Sequence, residues 1–177
     1  MQQLKAIALS TGFQERLTER GSVQIQSLKI HFPPALPRYI SNESLSKTYR
    51  SKPLVAVNDE ILFGELAILR FLQMDGWQGV WVDTFHGRGK RKVLWSGMPP
   101  DGYGALSSDA EAFYDSIVQA NDGKSSGFFD VFAWKDGKFV FLEYKGEGDS
   151  SNQNEMRWIN AALKCGMQSE ELFFVTY

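Results

Sequence analysis

The chain has 177 residues and a formal net charge of −2, and 43% of its residues are hydrophobic, which suffices for one domain with a sizeable core. This charge balance excludes a protein that is basic over its whole surface, but it does not exclude local basic patches. A single cysteine excludes a disulfide within the chain, and that cysteine with two distant histidines cannot build a Cys/His zinc site.

No stretch is apolar over the length of a membrane span, and the apolar run at residues 6–9 is too short for the core of a signal peptide. The lone cysteine also fits a reducing compartment. We therefore expect an intracellular, cytoplasmic protein without a membrane partner, and a nucleoid-associated or nuclear location stays open.

The first part of the chain, residues 1–57, has mixed patterning. Pro33, Pro34 and Pro37 break any helix there, and residues 41–51 are polar and rich in serine. We expect an irregular N-terminal extension of unknown role, followed by a folded domain over residues 58–177.

The rest of the chain alternates between helical and strand patterns. Helices are expected over residues 58–74, 108–120 and 153–165. Strands are expected over residues 79–85, 92–95 and 172–177, with a loop rich in Pro and Gly at 98–106. The first helix would carry Asp59 and Glu60 in its first turn, and Ser107 or Ser108 would cap the second. Together with a hairpin, this order is typical of a mixed α/β layer fold.

The most informative segment is 127–146, in which two aromatic, apolar runs are joined by Asp136-Gly137. Asp-Gly between such runs is the strongest short-range signal for a hairpin with a two-residue turn. A turn of this kind places Lys135 opposite Lys138, which fixes the register of the whole pair.

The register places Asp130 directly opposite Glu143, and strand alternation places Lys145 on the same face as Glu143. Like charges directly opposite each other destabilise a sheet, so we expect a divalent cation with oxygen ligands to offset the repulsion. A metal can activate water for attack on a phosphodiester, and a nearby lysine can orient that water or stabilise the transition state. The trio is therefore predicted to be catalytic.

The alternative is a salt-bridge ladder on the surface of a hairpin. Against it, residues 139–142 are apolar on both faces, as in buried strands. Because Lys145 lies beyond this apolar part of its strand, we expect its removal to cost little stability.

Glu65 is the second informative residue. Its neighbours at three- and four-residue helical spacing are all apolar: Ile61, Leu62, Ile68, Leu69 and Leu72. A buried carboxylate needs a charge partner, so Glu65 is a candidate for the metal site, while an edge position in solvent or an arginine partner stays open. Gly64 beside it indicates close packing.

Glu155 and Gln153 are the candidates on the last helix. Glu155 lies three and four residues before Trp158 and Ile159, on the apolar face. Asn152 has the capping-box spacing to Glu155, so a cap and an active-site role both stay open for Glu155. Gln153, in the first turn, is the other polar residue that could face the site.

A compact basic loop is made of Arg88, Lys90, Arg91 and Lys92. Such a loop can contact the phosphate backbone of a nucleic acid, or it can be a solvated connection. Asp83, on the preceding strand, is a spare carboxylate.

These residues together resemble the VRR-NUC branch of the PD-(D/E)XK nuclease superfamily. The positions that fall in step with that branch are Asp130, Glu143-Tyr144-Lys145-Gly146, Gly148-Asp149, Trp158 and Gly166. The match covers residues 130–177 well and the helix of Glu65 more loosely. Two positions depart from the pattern, because Phe129 replaces the usual Pro and Glu155 stands where the branch has Gln.

The resemblance implies a restriction-endonuclease-like mixed sheet flanked by helices, with an insertion at about residues 88–120. It implies that Asp130, Glu143 and the Tyr144 carbonyl bind Mg²⁺ or Mn²⁺, that Lys145 is the catalytic lysine and that Glu65 is the acid of the first helix. Either Gln153 or Glu155 would complete the site.

The resulting hypothesis is a metal-dependent nuclease acting on DNA, structure-specific or linked to repair or replication, and small stand-alone members of the branch suggest a homodimer acting on branched DNA. The alternative is a catalytically inactive nuclease-fold module that binds nucleic acid or a protein partner, which the Glu-for-Gln change favours. A metal-dependent hydrolase of another phosphate ester is a third reading.

Overall fold

The computed structural model describes residues 1–34, 49, 52–84, 93–146, 149 and 152–177. A seven-stranded mixed sheet with helices on both faces forms the body of the protein, beside a separate two-stranded hairpin. The elements are α1 (Gln2–Ala6), β1 (Ala8–Thr18), β2 (Gly21–Ile30), β3 (Leu54–Val57), β4 (Glu60–Phe63), α2 (Gly64–Met74), β5 (Gln78–Asp83), β6 (Val93–Trp95), α3 (Ser108–Ala120), β7 (Val131–Lys135), β8 (Lys138–Lys145), α4 (Gln153–Lys164) and β9 (Leu172–Thr176). The predicted mixed α/β class is confirmed.

The strands of the large sheet lie in the order β1-β2-β9-β8-β7-β5-β6. Strand β9 runs parallel to both β2 and β8, and the remaining neighbours are antiparallel. Strand β8, which carries Glu143 and Lys145, therefore lies in the middle of the sheet and is paired along both edges.

The predicted hairpin and its register are confirmed. Lys135 pairs with Lys138, and Val131 pairs with Leu142. The turn residues Asp136 and Gly137 have φ angles of 49° and 73°, which is the left-handed backbone that a two-residue hairpin turn requires. One step beyond the last ladder pair, the chain brings Asp130 to the level of Glu143.

The sheet separates two hydrophobic cores. The core on the α2 face includes Val131, Leu142 and Val175. The opposite core, under α3 and α4, includes Phe132, Phe141 and Phe174. Because side chains alternate along a strand, Glu143 and Lys145 point to the α4 face and Tyr144 points to the α2 face.

The N-terminal segment is more regular than its sequence indicates. An irregular structure was expected for residues 1–57. This was wrong for residues 1–30, which form α1, β1 and β2, and for residues 54–57, which form β3. Strand β2 pairs with β9 and so joins the same sheet as the hairpin. Strand β1 is exposed on both faces over most of its length, so its sequence lacks the alternation that identifies a half-buried strand.

The first predicted helix begins later than expected. Residues 58–63 are not helical: Asn58 and Asp59 have φ angles of 46° and 66° and turn the chain between β3 and β4. The prediction that Asp59 and Glu60 occupy the first helical turn was therefore wrong, because Asn and Asp tolerate the left-handed backbone of a tight hairpin turn. Helix α2 starts at Gly64 instead.

The other two helices agree with the sequence pattern. The Ser107 hydroxyl accepts the N–H of Ala110 at the start of α3, and α4 ends just before Gly166, whose φ angle is 98°. Among the residues that the structure describes, no helix has both the length and the apolar character needed to cross a membrane.

Candidate active site

Asp130 and Glu143 lie side by side at the point where β7 begins, and the backbone holds them there. The N–H of Asp130 donates to Glu143 Oε2 at 3.2 Å, and the N–H of Tyr144 donates to Asp130 Oδ2 at 2.9 Å. The carbonyl of Asp130 accepts the N–H of Val82, which ties this position to β5. We refer to Asp130 and Glu143 as the acid pair.

Both carboxyl groups of the acid pair have raised pKa values. Burial raises the pKa of Asp130 to about 7, and the negative charge of Glu65 acts in the same direction. Burial also raises the pKa of Glu143 well above its usual value, and the charge of Asp130 adds to the effect. Partly buried neighbouring acids ionise less readily than acids in water, and Lys145 offsets this only in part, so the acid pair favours a bound proton or a bound cation.

Lys145 is held beside the acid pair by two carboxylates. Its Nζ lies 2.5 Å from Glu155 Oε2 and 3.5 Å from Glu143 Oε1. Burial alone would lower the pKa of Lys145, but the hydrogen bond to Glu155 and the charge of Glu143 outweigh it and raise the pKa. The ammonium group is therefore charged. Lys145 lies beyond the apolar part of its strand, as predicted, but it is buried, which argues against the expectation that its removal costs little stability.

Of the two candidates on α4, the structure brings Glu155 to Lys145. Its side chain is buried, whereas Gln153 is exposed at the start of the helix. The Asn152 side chain accepts the N–H of Glu155 at 3.0 Å, so Asn152 is the cap, while the Glu155 carboxylate turns to the lysine. Glu155 Oε1 is buried and has no hydrogen-bond partner within the described part of the chain, so one acceptor remains open.

Glu65 is buried as predicted, but its partner was not foreseen. The carboxylate forms an ion pair with Lys52, from the segment just before β3, and is neither exposed at a helix edge nor paired with an arginine. Lys52 Nζ also lies 4.9 Å from the centre of the Trp81 ring, in a cation–π contact. No periodic pattern marks Lys52 in the sequence, because it lies between elements.

Two glycines allow the elements around the site to approach closely. A Cβ at Gly64 would lie 2.0 Å from the Tyr144 ring, so this ring packs directly on the start of α2. The predicted close packing at Gly64 is thus confirmed. A Cβ at Gly127, whose φ is 82°, would lie 2.2 Å from the backbone of Asn154, so the segment before β7 packs directly on the start of α4.

Other predicted residues are placed elsewhere or are not described. Asp83 is buried and accepts hydrogen bonds from the Tyr49 hydroxyl at 2.5 Å and from Trp95 Nε1 at 3.4 Å, which gives it a role in packing. Asp149 accepts the N–H of Gly146 at 2.8 Å. Outside the described residues lie Arg88, Lys90, Arg91, Lys92 and Gly148.

The oxygen donors at the acid pair suit a hard divalent cation. Within the described ranges, no three His, Cys, Asp or Glu side chains are gathered closely enough to hold a metal ion on their own, and Glu65 is engaged by Lys52. The Tyr144 N–H donates to Asp130, and the N–H and C=O of one strand residue point to the same edge, so the Tyr144 carbonyl is directed to the edge of β8 on which Asp130 lies. Two carboxylates and a carbonyl fit Mg²⁺, which keeps several waters and takes further oxygens from a phosphate.

Comparison of the chain with models of known protein families, with characterised proteins and with solved structures gave no match. The functional groups of the site themselves indicate its chemistry. Adjacent acids with raised pKa values and a charged lysine held beside them can bind a cation and stabilise negative charge on a substrate.

Proposed function

We propose that the protein is a Mg²⁺- or Mn²⁺-dependent nuclease with a restriction-endonuclease-like fold, and that DNA is its favoured substrate. The observation that carries the proposal is the acid pair with Lys145 beside it, at the end of a buried hairpin. The order α2, β5, β7, β8, α4, β9 around this site supports the resemblance to PD-(D/E)XK nucleases.

Asp130, Glu143 and the Tyr144 carbonyl would hold the cation, with Glu65 as a further acid near Asp130. When bound, the cation would lower the pKa of a water molecule and offset the charge that develops on the phosphate. Lys145 would donate hydrogen bonds to the attacking water or to a phosphate oxygen. Glu155 would act as a positioning residue, because its carboxylate lies 2.5 Å from Lys145 Nζ.

The proposal accounts for an arrangement that would otherwise be costly. Two neighbouring carboxylates with raised pKa values destabilise the ionised folded protein. Evolution can tolerate such a cost at a functional site, where perturbed pKa values are concentrated.

A cleavage assay with Mn²⁺ on duplex, flap, junction and single-stranded DNA tests the proposal. Wild-type protein should cleave at least one substrate, and Glu143→Gln should lose the activity while it remains folded. Glu111→Gln is the matched control, because Glu111 is an exposed acid on α3. No cleavage of any substrate by wild type, or equal cleavage by Glu143→Gln, would contradict the proposal.

A non-catalytic nucleic-acid-binding module is the second candidate. The ion pair between Lys52 and Glu65 favours it, because an ammonium group already compensates one acid near the site. This alternative predicts binding of DNA that is equally strong with and without divalent metal, and no cleavage.

A further inference from the structure

A small cleft lies next to the acid pair, on the α2 side of the sheet. Its volume is about 170 Å³, and the residues that matter here are Lys52, Gly64, Glu65, Tyr144, Asp149 and Tyr177. Tyr144 connects the cleft to the acid pair, because it follows Glu143 in β8 and donates its N–H to Asp130. A group bound in the cleft therefore lies beside Glu65 and one residue away from Asp130, on the face of the sheet opposite to Lys145.

The wall of the cleft is an aromatic platform. The Tyr177 ring stacks on the Tyr144 ring with centroids 4.9 Å apart and an interplanar angle of 29°. Tyr144 itself is fixed between the start of α2 at Gly64 and the ring of Phe32, whose centroid is 6.4 Å away. Tyr177 remains 45% exposed and lines the cleft, so part of a ring that is supported by Tyr144 is accessible.

The charged groups of the cleft are already engaged. Lys52 pairs with Glu65, and Asp149 accepts the N–H of Gly146. The cleft therefore has an aromatic wall and a polar rim on which two carboxylates outnumber one ammonium group, so it suits a flat, uncharged ring more than a free anion. A nucleobase is such a ring, and stacking on tyrosine accepts any base because every base has a π face.

We propose that this cleft is a subsite for one unpaired nucleobase of the substrate strand, stacked on Tyr177. The inference rests on the proposed nuclease function and names its substrate class. Inside a duplex, neighbouring base pairs cover both faces of every base except those of the two terminal pairs, so an internal base can stack on a side chain only when it is single-stranded or splayed out. The substrate is then a single strand, or the unpaired part of a flap, fork or junction.

Binding measurements in Ca²⁺ buffer test the subsite. Fluorescence anisotropy would compare a labelled short oligothymidine with a blunt duplex of the same length. Tyr177→Leu should weaken single-strand binding by roughly 5- to 150-fold, the loss expected for one stacked base, with little change for the duplex. Tyr177→Phe keeps the ring and should bind like wild type.

The matched control is Tyr103→Leu. Tyr103 also stacks on another aromatic ring, with its centroid 4.6 Å from that of Trp95, and it is 69% exposed, but it does not line the cleft. Equal losses for Tyr103→Leu and Tyr177→Leu, or equal losses on single strand and duplex, would overturn the subsite.

A fluorescence measurement on folded wild-type protein tests the subsite without relying on the stability of a variant. A 2-aminopurine base flanked by thymidines should change its fluorescence on binding, because it exchanges stacking on neighbouring bases for stacking on the ring, and unchanged fluorescence of a bound strand would contradict the subsite. Unchanged single-strand affinity of Tyr177→Leu overturns the subsite alone. Failure of wild-type protein to bind any nucleic acid overturns the subsite and the proposed function together.

Discussion

Two lysine–glutamate pairs flank the acid pair, one on each face of the sheet, and they differ in burial. On the α4 face, the side chains of Lys145 and Glu155 are 10% and 2% exposed. On the α2 face, the side chain of Glu65 is 6% exposed, but that of Lys52 is 34% exposed. Both pairs place a positive charge near the same acids, and only one of them is closed off from water.

This difference in burial indicates that the ammonium group of Lys145 is fixed in place, whereas that of Lys52 can be displaced. Lys145 comes from the central strand and is held by Glu143 and Glu155, so its ammonium group cannot leave without stranding buried charge. Lys52 comes from the segment before β3 and reaches solvent, so a cation or a substrate can displace it at lower cost. The buried pair suits a catalytic group, and the partly exposed pair suits a group that a bound ligand can displace.

The largest expected effect is that of Lys145→Met. This variant should lose cleavage, and its free energy of unfolding should fall by about 3–5 kcal/mol, because Glu155 is left buried without its partner. Urea denaturation followed by circular dichroism measures the loss.

A double variant separates stability from chemistry. Lys145→Met combined with Glu155→Gln should regain most of the lost stability, since Glu155 no longer leaves an unpaired buried charge and the raised pKa of Glu143 allows it to take up a proton, and should still not cleave. If Lys145→Met is as stable as wild type, the ion pair of Lys145 with Glu155 does not hold the ammonium group in place.

Local signals made the hairpin and its acids predictable. Asp136-Gly137 sets the turn and the register from neighbouring residues alone, so the positions of Asp130 and Glu143 followed without knowledge of the rest of the fold. The burial of Glu65 could also be foreseen, although its helix begins at Gly64.

Contacts between distant segments could not be foreseen. Lys52 meets Glu65 only because β3 and β4 fold back before α2. The packing of α4 on the sheet decides that Glu155, and not Gln153, meets Lys145, and capping-box spacing alone leaves that open. The interactions of the basic loop stay a prediction, because residues 85–92 lie outside the described part of the chain.

The acid pair should make the stability of the metal-free protein depend on pH. Folding raises the pKa of Asp130 from 3.8 to about 7, so its contribution to stability is fully present below the lower value and is lost as the pH rises to about 7. Thermal melts in EDTA should show this loss for wild type. Asp130→Asn should show a weaker dependence over that range, and identical pH profiles would contradict the assignment.

The same thermal melts, applied to two further variants, compare how the acids on the two faces of the sheet affect the pKa of Asp130. The charge of Glu65 raises the pKa of Asp130, whereas the charge of Glu155 acts on Glu143. Glu65→Gln should therefore shift the pH dependence of Asp130 to lower pH, and Glu155→Gln should shift it less. Equal shifts for both variants would mean that the two faces are not electrically distinct.

The smallest effect is expected for Lys52→Met. Because 34% of the Lys52 side chain is exposed, water can replace its ammonium group beside Glu65. We therefore expect its loss to lower the free energy of unfolding by only about 1 kcal/mol, measured by the same urea titrations. The variant should bind Mn²⁺ at least as tightly as wild type, since the Glu65 carboxylate becomes available. A loss as large as that of Lys145→Met would remove the distinction between the two pairs.

The central claim is that Asp130 and Glu143 jointly bind a divalent metal, and calorimetric titration with Mn²⁺ tests it most directly. Wild type and the control Glu111→Ala should each show one site. Glu143→Ala, checked for folding by circular dichroism, should show none. Equal Mn²⁺ binding by folded Glu143→Ala and wild type would contradict the account.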